Sequence, residues 1–315
     1  MKCLITGVAG FIGSTLAEEL LSQGNQVLGI DCLTDYYSPE IKKNNLKRLL
    51  EKKGFVFEQK NLLSMDIAQF LKGVDVVYHL ASQPGVRGSW GKNFGFYVEN
   101  NILATQVLLE ACKDMQIKKF VYASSSSVYG DAYILPLRED APLMPISPYG
   151  VTKLAAENLA YLYYKAWGVP AVMLRYFTVF GPRQRPDMAF SRFLKAALKD
   201  ETIQVYGSGG QTRDFTYIED AVKGTFSAAE GGRPGQIYNI GGGNQVSLNQ
   251  VLKIIEKVVG KRLKIEKIEP MKGDVQHTLA DISKARRDFD YKPRCPLLQG
   301  IEKQFEWIKQ IKQVV

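Results

Sequence analysis

The first fourteen residues, MKCLITGVAGFIGS, constrain the fold most. They give a short apolar run, a turn with glycines at positions 7, 10 and 13, and a helical pattern starting near Phe11. In such a turn Gly7 permits the tight bend, Gly10 lets backbone approach a pyrophosphate, and Gly13 lets helix pack on strand, with the helix N-terminus facing the anion. A glycine triplet alone says little. Here a second apolar run, QVLGID, follows the helix and ends in Asp31. A carboxylate there accepts from the ribose hydroxyls of an adenosine and repels a 2′-phosphate, so the expected ligand is NAD rather than NADP.

Strand-like and helix-like stretches alternate from that point: GFVFEQK, a helix around residues 65–71, VDVVYHL, a helix around 97–113, KKFVYAS, a helix after Tyr149, and PAVMLRY. That order predicts an α/β fold, a Rossmann-type doubly wound parallel sheet with ligands at the carboxyl ends of its strands. Past residue 177 the Pro- and Gly-rich stretches FGPRQRPD and YGSGGQTRD break the pattern, and helices follow at LNQVLKIIEKVVG and the C-terminus. The expected division is a NAD-binding domain over residues 1–176 and a smaller C-terminal α/β substrate-binding lobe over 177–315. Residues 235–243, around IYNIGGG, are expected to return to the main sheet.

Tyr149 and Lys153 lie four residues apart in SPYGVTKL, which on a helix sets a phenol and an ammonium on one face. A fixed cation lowers a phenol's pKa from about 10 towards working pH. The phenolate then takes a proton from a hydroxyl while the carbon's hydrogen leaves as hydride, and a nicotinamide is the natural acceptor.

Composition narrows the rest. The four cysteines, Cys3, Cys32, Cys112 and Cys295, have no ligand spacing, and the two histidines, His79 and His277, have no partner at metal spacing, so no metal is expected. His79 ends an apolar run and reads as structural. Scattered thiols suit a reducing compartment. Met1 leads almost directly into the first strand with no room for a signal peptide, and no apolar stretch approaches the ~20 residues that cross a bilayer. The cytoplasm is therefore expected, with no membrane partner. The formal charge of +9 comes from spread lysines and arginines without a nucleic-acid motif, so no nucleic-acid partner is expected.

With GVAGFIG at 7–13, SSSSVYG at 124–130, YGVTK at 149–153 and RDF at 213–215 in order, the chain resembles the extended short-chain dehydrogenase/reductase family of nucleotide-sugar enzymes. Within it the chain is most similar to UDP-glucuronate 4-epimerases, through DYYSPEIKKNNL, QPGVRGSW, SSSSVYG, RYFTVFGPRQRPDMAF and QTRDFTYIED. The resemblance implies an isomerase that oxidises sugar carbon 4 and reduces it again, with tightly held NAD regenerated each turnover. Its catalytic set here is Tyr149, Lys153 and Ser125, the serine three positions before the loop valine. Cofactor contacts are implied at Gly7, Gly10, Phe11, Ile12, Gly13, Asp31, Leu62, Leu80, Ala81, Asn100, Tyr149, Lys153 and Tyr176. Asn61 would stand near the adenine, where relatives often carry Asp.

For the UDP-sugar, the resemblance implies a diphosphate clamp at Arg213, with Arg87, Arg185 and Arg192 near sugar or phosphates. Asp274 would take the uridine ribose, and Val205 and Tyr206 the uracil. Relatives often have Arg or Gln before the Gly-Asp where this chain has Met271 and Lys272. Ser126 and Ser127 stand where dehydratases carry an acidic pair and decarboxylases a glutamate. That favours epimerisation, with Ser125, Ser126, Ser127 and Thr178 at the substrate and the last three donating to a sugar carboxylate. The alternatives are another carbon-4-oxidising UDP-sugar enzyme, such as a UDP-glucose or N-acetylhexosamine 4-epimerase or a 5,6-dehydratase, and a non-catalytic NAD-binding sensor. Leu103, Val107, Leu108, Leu154, Leu159 and Leu162 widen the apolar faces of two helices. They point to a homodimer through a helix bundle, or to plain core burial.

Overall fold

The apolar runs β1 (Lys2–Thr6), β2 (Gln26–Asp31), β3 (Phe55–Gln59), β4 (Val76–His79), β5 (Lys119–Ser125) and β6 (Ala171–Tyr176) become parallel strands of one sheet in the computed structural model, which describes residues 1–131, 134–269 and 273–312. Between them run α1 (Phe11–Ser22), α2 (Pro39–Leu50), α3 (Ile67–Leu71), α4 (Phe94–Tyr97), α5 (Ala104–Cys112) and α6 (Pro148–Trp167). β6 is buried at every residue and β5 at all but its last, because helices cover both faces, and both read as mostly apolar runs in which Lys119, Ser124 and Arg175 are buried polar exceptions. β3 closes one edge and leaves Val56 exposed.

The second half of the chain opens with β7 (Val179–Phe180), α7 (Ala189–Lys199), β8 (Ile203–Tyr206), β9 (Thr212–Asp214), β10 (Thr216–Tyr217) and α8 (Ile218–Gly231). Next, β11 (Ile237–Ile240) pairs with β6 and completes the seven-stranded order β11-β6-β5-β4-β1-β2-β3. α8 packs on α1, so this half supplies the main layer with a helix as well as a strand. The remainder is β12 (Gln245–Ser247), α9 (Leu248–Val259), β13 (Ile265–Ile268), α10 (Ser283–Phe289) and α11 (Leu297–Lys312).

Asp214 of the RDF motif ties β9 to the segment after β11 and to residue 280. It is fully buried and accepts from the backbone N–H groups of Gly242, Gly243 and Ala280 at 2.6, 3.2 and 2.9 Å. Burial raises its pKa to about 6 against these backbone N–H bonds, which favour the ionised form.

The helix expected around residues 97–113 is built in three pieces, with a π-helical turn (Val98–Leu103) between α4 and α5. Such turns concentrate at functional sites because the extra residue re-aims side chains. Here it places Asn100 and Asn101, and Asn101 is buried.

Candidate active site

β1 and β4 are neighbours, and the chain runs from β1 to one side of the sheet and from β4 to the other. Beyond their carboxyl ends the sheet leaves a crevice. Gly7 turns there with φ of +73°, and a Cβ on it would stand 2.7 Å from the Ala81 nitrogen. A Cβ on Gly13 would collide with the Gly7 carbonyl oxygen, the closest approach of α1 to the turn. Asp31 braces the same turn: its carboxylate accepts from Ala9 N–H at 3.0 Å and Leu33 N–H at 2.8 Å. Burial raises its pKa, and those two bonds with the nearby Lys42 ammonium oppose the rise.

α6 begins with a cap written in its sequence. Ser147 accepts from Gly150 N–H through its side chain, and Pro148 occupies the first turn. Tyr149 and Lys153 follow on one face. Tyr149 is hydrogen-bonded to Ser125 and lies edge-on to Tyr97 at 6.3 Å between ring centroids. Lys153 is buried, its ammonium 4.8 Å from the Tyr122 ring centroid and 3.4 Å from the Ser82 hydroxyl.

The expected lowering of the phenol by Lys153 is not what the chain's own groups produce. Burial raises the Tyr149 pKa, with Ser125 and Arg185 pulling it down. Burial also lowers Lys153 to about 7, partly offset by Glu157. Both groups lose hydration, so each is driven towards its neutral form, and the ammonium donates to Ser82 rather than facing the phenol alone.

One cavity gathers Gly7, Gly10, Phe11, Ile12, Gly13, Asp31, Asn61, Leu62, Leu80, Ala81, Asn100, Tyr149, Lys153 and Tyr176 with Ser125, Ser126, Ser127, Thr178 and Arg185. The serines succeed one another off the end of β5, where the Ser125 hydroxyl donates to Ser127 Oγ at 3.1 Å and accepts from Ser127 N–H at 3.2 Å. Arg185 is held by Asp187 through two bonds of 3.0 and 2.9 Å.

A second cluster stands apart from those residues. Arg87 pairs with Asp274 at 2.7 Å and stacks 4.0 Å over the Tyr206 ring, and Arg213 joins them through its attraction to Asp274. Burial lowers the Arg213 pKa while Asp274 and Asp131 hold it up. Val205 lies in the core rather than at this cluster, and Arg192 is exposed on α7. The departure at Met271 and Lys272 falls outside the described residues.

The cradle, the acid at the end of β2 and a buried lysine one turn from a half-buried tyrosine make a dinucleotide site with a proton-transfer pair. The sequence matches the NAD dependent epimerase/dehydratase family over residues 3–241. The chain belongs to this family. The residues of the cradle fit its cofactor: Gly10 meets only the Gly7 oxygen and leaves open the face a pyrophosphate approaches.

Among similar proteins, UDP-glucuronic acid 4-epimerase from Bacillus cereus, solved with UDP-glucuronic acid and NAD, gives a TM-score of 0.96. It is 45% identical, over 99% of this chain and 100% of its own. UDP-glucuronate 4-epimerase of Thermodesulfobacterium geofontis is 40% identical over 98% of this chain and 96% of its length. YtcB of Bacillus subtilis, an uncharacterized UDP-glucose epimerase, is 45% identical over 99% of both.

Several lining residues had no separate signal in the sequence. Tyr36, Tyr37 and Lys42, from the segment after β2, line the cavity. Lys42 is buried and donates to Thr34 O and Oγ1 at 2.7 and 2.9 Å, whereas its neighbour Lys43 is exposed. Which of two adjacent lysines turns inward depends on how α2 sits. Asn101 accepts from Gln83 N–H at 2.7 Å and donates to Thr152 at 2.9 Å, tying the π turn to α6 beside Lys153. His79 is structural: it bonds Thr6 and Thr105 at 2.7 and 2.9 Å, and burial drives its pKa down to about 3. Among the described residues no cluster could hold a metal, and no helix is long and apolar enough to cross a membrane.

Proposed function

We propose that this protein is a UDP-glucuronate 4-epimerase, interconverting UDP-glucuronic and UDP-galacturonic acids through a 4-keto sugar. The observation that carries the reading is the set of hydroxyls, Ser125, Ser126, Ser127 and Thr178, lining one cavity with Tyr149 and Lys153. No carboxylate stands where a dehydratase's acid and base would be needed. Tyr149 takes the proton of the 4-hydroxyl, with Ser125 sharing it, and returns it after the sugar has turned over. Lys153 raises the share of ionised Tyr149 and holds the cofactor's ribose. NAD, when bound, supplies the hydride acceptor and a positive charge that favours the phenolate.

A 4-keto uronate is a β-keto acid. If its C5–C6 bond breaks, the electron pair enters the carbonyl as an enolate, C5 is protonated, and carbon dioxide leaves. Ser126, Ser127 and Thr178 donate to the carboxylate, stabilise its charge and hold that bond away from the carbonyl π system. Replacing all three with alanine is expected to release a UDP-4-keto-pentose, detected by mass, and to reduce the preference for UDP-glucuronic acid over UDP-glucose by roughly a hundredfold or more, as the loss of about three charged hydrogen bonds implies. Unchanged products and preference would move the substrate towards a neutral UDP-sugar.

We assign the UDP end to the Arg213, Arg87, Asp274 and Tyr206 cluster, where two guanidiniums stand together and each can bridge phosphate oxygens in a bidentate fork. The NAD site then lies mainly in residues 1–176, the sugar site draws on both parts, and the later lobe supplies most of the UDP end. We place the protein in the cytoplasm on its four free cysteines. A homodimer through the π-helical turn and α6 is supported by Leu103, Val151, Tyr161, Leu162 and Trp167, all between 45 and 60% exposed. Leu108 is fully buried and belongs to the core instead. Leu162→Glu is expected to yield monomers in light scattering.

A further inference from the structure

A buried ion pair lies one turn beyond Lys153. On α6, Tyr149, Lys153 and Glu157 follow at four-residue spacing on one face. Arg175 of β6 reaches the Glu157 carboxylate through two bonds of 3.0 and 2.6 Å, and both side chains are 2% exposed or less. Buried pairs of this kind are poor sources of stability, because desolvation offsets their attraction, and apolar replacements are often neutral or better. Their retention calls for another reason.

The remaining contacts supply one. The Ser124 hydroxyl donates to the same Glu157 carboxylate at 2.6 Å, and Ser124 immediately precedes Ser125. Sheet register puts Ser124, Arg175 and Asn239 side by side on β5, β6 and β11. Arg175 also donates to the Glu139 carbonyl at 3.1 Å and stacks 4.7 Å from the Tyr129 ring, whose hydroxyl donates to Asn239 at 2.7 Å. One carboxylate thus fastens the start of the serine loop to the helix that carries the tyrosine and lysine, and Tyr129 fastens its end.

We propose that Glu157 and Arg175 are positioning residues for the reaction: through Ser124 they set the Ser125–Ser127 loop against Tyr149, and through the charge of Glu157 they set the charge state of Lys153. This rests on the epimerase reading for its substrate but not for its geometry. The groups facing Lys153 are Glu157 on its own helix, Tyr122 and His79 on β5 and β4, and Ser82. Those facing Tyr149 are Ser125, Arg185 and Tyr97. Glu157 is the carboxylate in that set that raises the lysine, so its loss lowers Lys153 further.

The test uses the full chain with its NAD and four variants besides the parent and a Lys153→Met reference: Ser124→Ala, Ser124→Thr, Glu157→Gln, and the double change Glu157→Gln with Arg175→Met, which leaves no unpaired charge. Ser124→Ala and the double variant are expected to keep the parental Tm, bound NAD and KM within about twofold, with kcat lower by roughly ten- to a hundredfold. Part of the product should be decarboxylated, and Ser124→Thr should restore both rate and product. In Glu157→Gln the Lys153 ammonium, followed by NMR as the difference from Lys153→Met, should titrate lower than in the parent. That titration needs no sugar, so a parent inactive on UDP-glucuronic acid would overturn the substrate reading and leave this inference standing or falling separately. Parental kcat, products and Lys153 titration in folded variants would make the pair a buried strut and overturn it. Should Glu157→Gln alone fail to fold, Ser124→Ala and the double variant decide.

Discussion

Tyr149→Phe is expected to lower kcat by about a thousandfold or more, since a positioned acid–base group contributes roughly 10²–10⁴ and here it serves both the oxidation and the return. KM should change little. The ring stays edge-on to Tyr97, and only the hydroxyl bonded to Ser125 is lost. Since burial raises the phenol's pKa, removing it leaves no buried charge unpaired, and Tm should hold within a few degrees. Stopped-flow turnover of UDP-glucuronic acid beside a melting curve checks both halves. A loss confined to KM would mean that Tyr149 only binds the sugar.

Gly13→Ala carries the second large effect, on the cofactor. The added methyl meets the Gly7 carbonyl oxygen and stands 2.9 Å from the Val8 Cα, and these are backbone atoms of the turn that cannot swing away. Overpacking of this kind costs about 1–3 kcal/mol, and the turn that must shift is the one that faces the pyrophosphate. NAD affinity should fall roughly ten- to a hundredfold, read as the NAD retained after gel filtration and by calorimetric titration of the stripped protein. Gly24→Ala is the control: its own φ is positive, unlike that of Gly13, but its added methyl meets nothing within 4 Å and lies outside the cradle. Equal NAD loss in the control would separate the effect from the cradle.

Much of this site was legible because its signals are local. The glycine turn, the acid at the end of β2 and the Tyr149–Lys153 spacing each need only one strand, one turn or one helix to be placed. The strands buried on both faces were legible as apolar runs for the same reason. Glu157 was not, because a glutamate on a helix reads as solvent-facing until Arg175, eighteen residues later, is brought beside it by sheet register. Arg175 in turn hides inside the apolar run AVMLRY. Val205 shows the opposite failure: alternation in β8 is real, yet the buried side of that strand is the core and not the nucleotide.

The pKa relation between Tyr149 and Lys153 was legible in composition and not in sign. Spacing places a cation near a phenol, but it carries no information about burial, and burial dominates both groups. What ionises the tyrosine must then come from the occupied site, from NAD and from the charge Glu157 lends to Lys153.

Proton NMR and mass analysis of UDP-glucuronic acid incubated with the purified protein, with no cofactor added, tests the central claim most directly. UDP-galacturonic acid of unchanged mass is the expected product, formed with NAD that co-purifies. No turnover of the acid even after NAD is supplied, together with epimerisation of UDP-glucose, would contradict it.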